Sequence, residues 1–98
     1  MNIYLALKKR IKKNEGFSRV AYSDSLGFDT IGYGHLIKDS EKELLNSSFS
    51  EKFLLNLFYI DFKKALTDYE RFYKKQNHQQ HVAEALIEMI FQIGINKQ

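Results

Sequence analysis

Glu15, Asp24 and Thr30 bring two carboxylates and a hydroxyl into one short stretch, NEGFSRVAYSDSLGFDTIGYGH (14–35). The same stretch holds Gly16, Gly27, Gly32 and Gly34, four of the chain's five glycines. Two carboxyl groups can share a reaction when their surroundings differ. One kept protonated serves as a general acid, and one left ionised serves as a base or stabilises positive charge. A nearby hydroxyl can hold a water molecule. Which carboxyl takes which part depends on the elements that carry them.

Counting back from Glu15 in steps of four gives Ile11, Leu7 and Ile3. On a helix over Ile3–Asn14 the glutamate therefore continues the apolar face. Asn2 is the expected cap, and Gly16 can stop the helix with a left-handed turn. An acid at that end is partly desolvated and sits at the negative pole of the helix dipole. Both effects disfavour ionisation. Asp24 is set differently. Val20–Tyr22 reads as a short strand, Asp24–Gly27 as a turn, and Phe28–Tyr33 as a second strand with Phe28, Thr30 and Gly32 on one face. Polar neighbours leave Asp24 ionised. The hairpin can fold Asp24 and Thr30 together, opposite the helix end. A protonated acid facing an ionised one, with a hydroxyl to hold water, suits glycoside hydrolysis.

The spacing of Glu15-Gly16, Asp24 and Thr30-Ile31-Gly32-Tyr33-Gly34-His35 resembles the active-site segment of phage-type lysozymes, the endolysins of glycoside hydrolase family 24. The resemblance implies a lysozyme-like α+β fold: a small β-hairpin lobe joined by a long helix to a helical lobe. It implies hydrolysis of the β-1,4 bond between N-acetylmuramic acid and N-acetylglucosamine in peptidoglycan, with no cofactor and no metal. Glu15 would be the acid, and Asp24 and Thr30 would direct the water. Inversion by this route needs the carboxyls about 6.5–9.5 Å apart. The resemblance also implies that Leu36 and Phe91 contact substrate, although each reads equally well as a core residue. It pairs His35 with Asp61 on the long helix as a structural tie, which would favour mildly acidic to neutral pH. The segment Phe91-Gln92-Ile93-Gly94 matches the central helix of the family's larger lobe. The family domain usually continues beyond the position of Gln98. The larger lobe is therefore expected to be incomplete, with self-association or a second chain to complete it.

The remaining residues fit one domain over 1–98: a first helix (1–14), a small β lobe (15–49), a connecting helix (50–75) and a central helix (82–93). The basic cluster from Lys8 to Lys13 reads as a solvated face. A nucleic-acid role for it lacks interleaved aromatics and a recognition-helix pattern. Ser40 is the expected cap of a short helix, Glu41–Leu45, and Ser50 of the long one. Leu54, Phe58, Phe62, Ala65, Leu66, Tyr69, Phe72 and Tyr73 form its apolar stripe. Gln76–His81 reads as a polar turn, with no partner assigned to His78 or His81. Val82–Ile93 is polar only at Glu84, Glu88 and Gln92, a narrow strip four residues apart. Such a helix calls for neighbours around most of its circumference.

Composition narrows the field further. The chain has 98 residues, enough for one small core. It has no cysteine, which removes disulfide and thiol chemistry. A net charge of +3 suits an anionic polymer without identifying one. The lysines near the N-terminus interrupt any signal-peptide pattern, and no stretch reads as a membrane span. A cytoplasmic product that reaches the cell wall after release is expected. Three readings follow: a muramidase, a non-catalytic half-domain that works with a partner, and a basic module for nucleic acid supported only by the lysines of the first helix.

Overall fold

The structure, a computed structural model, describes residues 3–73, 76 and 79–95. Helix α1 (Leu5–Glu15) leads into three antiparallel strands, β1 (Ser18–Ser23), β2 (Asp29–Gly32) and β3 (His35–Leu36), ordered β1-β2-β3. A 3-10 helix (Asp39–Leu45), helix α2 (Glu51–Phe72) and helix α3 (Gln80–Ile95) follow. This is the lysozyme-like α+β arrangement, with a small sheet at one end and packed helices at the other.

Helix α2 starts where the sequence suggests. The Ser50 hydroxyl accepts from the Phe53 N–H at 3.1 Å, and Glu51 lies at the favourable pole of the dipole. At ~1.5 Å per residue it is about 33 Å long and reaches both apolar cores. Near its start Leu54 packs with Ile31, Ile37 and Leu44 beneath the sheet. Further on, Phe58, Phe62, Ala65 and Tyr69 join Leu7 and Ile11 of α1 and Ala83, Ile87 and Phe91 of α3. Phe58 is central there, with its ring centre 5.7 Å from Phe91 and 5.9 Å from Tyr33. Fully burying one such side chain is worth about 1.5–3 kcal/mol. This second core therefore holds α1 in place, and with it Glu15.

Several boundaries differ from expectation. Helix α1 begins at Leu5 after Tyr4, which makes no side-chain cap, and Ile3 lies outside it, 59% exposed. Asn2 lies outside the described residues. Glu15 is the last residue of α1 rather than the first beyond it. The small lobe has a third strand, β3, whose two residues are too few to show a period. The short helix is 3-10 and starts at Asp39. Glu41 is a kink in it (φ −120°, ψ 25°), so Ser40 is not its cap. In the apolar stripe of α2, Phe72 is 64% exposed in the final turn, with the Arg71 guanidinium 5.9 Å from its ring. Residues 74, 75, 77 and His78 lie outside the described residues. His81 belongs to the first turn of α3, not to a loop. The basic cluster is only partly a solvated face. Lys8 stands 5.4 Å over the Phe62 ring, and Lys12 stands 5.7 Å over Phe58. Both ammonium groups lie over the aromatic row of α2, a cation–π arrangement, and both residues are half-buried. Among the described residues, no helix is long and apolar enough to cross a membrane.

Candidate active site

Glu15 continues the buried row of Leu7 and Ile11 and is itself half-buried. Gly16 ends the helix with φ 77°, and its N–H donates to the Lys12 carbonyl at 3.1 Å. The carboxylate rests against a second glycine. A Cβ at Gly34 would lie 2.5 Å from Glu15 Oε1, and Gly34 also has φ 81°. Any side chain there would displace the carboxylate and strain the backbone. From α3, Gln92 Nε2 donates to Glu15 Oε2. Burial raises the Glu15 pKa above its ordinary value; the Gln92 hydrogen bond acts against this and the Glu88 charge adds to it.

Gln92 was not expected here. The strip Glu84, Glu88, Gln92 reads in sequence only as a narrow polar edge, and in the structure it faces α1. Arg10 Nη2 meets Glu88 Oε1 at 3.0 Å, and Asn14 Nδ2 donates to Glu88 Oε2 at 3.5 Å. The strip and the α1 residues Arg10, Asn14 and Glu15 form one polar seam between the two helices. The regular spacing of four was the available signal; the chain offered none for which helix it would meet.

Asp24 is held by its own turn. Its Oδ1 accepts from the N–H groups of Leu26 at 2.9 Å and Phe28 at 2.8 Å. Its N–H donates to the Phe28 carbonyl at 2.9 Å, and Gly27 takes φ 87° to close the turn. Two backbone donors on one oxygen suit a carboxylate acceptor. Its Oδ2 makes no hydrogen bond among the described residues. Thr30 lies in the central strand opposite Tyr22 and is buried. Its hydroxyl donates to the Phe28 carbonyl at 3.0 Å. With that proton engaged, Oγ1 has lone pairs left to accept a hydrogen from another molecule.

Glu15, Asp24, Thr30, Gly34 and Gln92 share the walls of one cavity of about 340 Å³ with Tyr22. Tyr22 was also missed. It precedes Asp24 by two and so projects to the same side of the chain. Burial raises its phenol pKa, and the charges of Glu15 and Asp24 add to that.

The other expected residues lie apart from this cavity. His35 is buried. Its Nδ1 meets Asp61 Oδ2 at 2.8 Å, and its Nε2 meets Glu41 Oε1 at 3.0 Å. Burial works against its charged form, but the hydrogen bonds and charges of Asp61 and Glu41 outweigh it and the pKa is raised. Glu41 is the partner that sequence reasoning missed, because the kink that turns it inward leaves no pattern. Burial tends to raise the Glu41 pKa too, but the Lys38 N–H and His35 bring it below the ordinary value. Leu36 and Phe91 are both buried and share the wall of a second, smaller cavity of about 170 Å³ with Lys38, Asp61 and Lys64. Phe91 belongs equally to the helical core. Among the described residues no set of three or more His, Asp and Glu side chains could hold a metal ion.

The profile of the family described as phage lysozyme matches residues 12–98. A solved structure, that of a candidate phage endolysin from S. enterica, superposes with a TM-score of 0.72. It is 23% identical, and the match covers 92% of this chain and 92% of that one. At that identity the likeness is one of fold. No curated protein matches the chain. The family profile takes in nearly the whole chain, including the stretch that bears Glu15, Asp24 and Thr30, and the protein belongs to the phage lysozyme family.

Proposed function

We propose that the chain is a muramidase that cleaves the β-1,4 bond between N-acetylmuramic acid and N-acetylglucosamine of peptidoglycan by inversion. The observation that carries this reading is the single cavity lined by Glu15, Asp24 and Thr30, in which burial favours the protonated form of Glu15. Glu15 gives its proton to the glycosidic oxygen as the bond to the sugar's anomeric carbon breaks. A water on the opposite face attacks that carbon. Thr30 Oγ1 accepts one hydrogen of this water and so aims its lone pair. Asp24 Oδ2 takes the other proton. Exchange with solvent then returns Glu15 to its acid form and Asp24 to its base form. Gln92 steadies the Glu15 carboxyl, and Leu36 and Phe91 are substrate contacts only if the chain of sugars extends to the second cavity, whose wall they share. The His35–Asp61 pair is structural. The test is turbidity clearing of outer-membrane-permeabilised bacteria. Wild type should clear, and Glu15→Gln should not. Failure of wild type to clear at high concentration would contradict the proposal.

A second reading has one observation in its favour. Val82, Met89 and Ile93 of α3 stand exposed. A half-domain that acts only with a second chain would cover them. Light scattering after size exclusion separates the readings, since an active monomer would remove the second.

A further inference from the structure

His35 has a second carboxylate partner that the reaction described above does not use. The side chain is 4% exposed and lies between α2, which supplies Asp61, and the 3-10 helix, which supplies Glu41. A neutral imidazole has one N–H, and its other nitrogen presents a lone pair. A lone pair facing an ionised carboxylate is repulsive. Here both ring nitrogens meet carboxylates, Nδ1 at 2.8 Å and Nε2 at 3.0 and 3.2 Å, which is the geometry of an imidazolium. Lys38 adds a charge at the cluster, with Nζ 3.9 Å from Glu41 Oε1. Lys64 and Asp68 share the cavity wall with Asp61.

The chain beside this ring bears on Glu15. Gly34 directly precedes His35, and its backbone is the surface on which the Glu15 carboxylate rests. His35 pairs with Ile31 across β2 and β3, and Leu36 pairs with Thr30. A ring gripped from two sides fixes the turn between Ile31 and His35. That turn sets both Gly34 and the strand that carries Thr30.

We propose that Glu41 is a positioning residue: by gripping His35 Nε2 it holds the Gly34 backbone against Glu15, and the grip slackens when the ring loses its proton. The proposal rests on reading Glu15 as the acid. Glu41 is the side that opens first. Its side chain is 25% exposed against 12% for Asp61, and it sits on a kink of the 3-10 helix rather than inside α2.

The test is an NMR pH titration of wild type and Glu41→Gln. It follows the His35 ring nitrogens, the Gly34 amide and the Glu15 carboxyl carbon. In wild type the Gly34 and Glu15 signals should each show a step at the His35 midpoint. In Glu41→Gln that midpoint should fall, and the Gly34 and Glu15 steps should move with it. Clearing at neutral pH should drop about tenfold, short of the ~100-fold cost of a 1 Å misplacement. If Gly34 and Glu15 ignore the His35 titration in wild type, the proposal is overturned, even if the variant does not fold. A His35 midpoint unmoved in Glu41→Gln overturns it as well. Wild-type clearing by Glu15→Gln would instead refute the acid assignment, and it is distinguishable because the Gly34 step is read without turnover.

Discussion

Gly34 and His35 are adjacent, yet they face opposite kinds of carboxylate site. On the Gly34 side Glu15 is half-buried with a neutral amide, Gln92, as its hydrogen-bond donor and a second acid, Glu88, nearby. On the His35 side Asp61 and Glu41 close on a ring that can carry a positive charge. Burial is present in both. What differs is the sign of the partner. An acid desolvated beside an amide and another acid has its pKa raised, which favours its protonated form. Acids closed around a cation are satisfied and act as a fastener. Burial alone therefore does not set the direction of a carboxyl's shift; the charge of its partner does.

Four substitutions probe the two sides of this contrast. Glu15→Gln has the largest effect. Clearing should fall by about 10²–10⁴-fold, the usual share of a general acid. The melting temperature should hold or rise, and the sign can be worked out. A carboxyl with a raised folded pKa loses stability as pH climbs from its unfolded value through its folded one, so removing the charge helps above that range. Circular dichroism melts at neutral pH check it. Gly34→Ala comes next. Its Cβ would press on Glu15 Oε1, and φ 81° would be strained. Clearing should fall about 100-fold, with about 1–3 kcal/mol lost in chemical denaturation.

His35→Asn tests the other side. Breaking a buried ion pair costs about 3–5 kcal/mol. The histidine's contribution is complete below its ordinary pKa of 6.5 and is lost as pH rises through the raised folded value. The contribution of Glu41 is complete above its ordinary 4.5 and is lost as pH falls through the depressed folded value. The gap between wild-type and variant melting temperatures should therefore be widest between those two values. A gap constant across pH would break the contrast. Arg10→Ala is the smallest. The Arg10–Glu88 bridge is exposed and worth under about 1 kcal/mol. Its removal leaves the Glu88 charge unbalanced near Glu15, so the Glu15 midpoint should move up slightly.

What could be read from sequence was local or periodic. The spacing of Glu15, Asp24 and Thr30 depends on one helix end and one turn, and all three border one cavity. Ser50 and the stripe from Leu54 to Tyr69 obey caps and helical period. The pairing of His35 with Asp61 came from family resemblance. What stayed hidden was contact between distant pieces. Gln92 reaches Glu15 across 77 positions, and no period in α3 says that its polar strip meets α1. Glu41 turns inward at a kink with no residue signature, and β3 is too short to alternate. Phe72 keeps the helical period while nothing in that period tells where α2 outruns its neighbours.

The most direct test of the account is a carbon-13 titration of the Glu15 side-chain carboxyl, assigned by its loss in Glu15→Gln. The midpoint should lie above the ordinary glutamate value of 4.5. A midpoint at or below it would mean that Glu15 has no proton to give near neutral pH, and the acid role would fall.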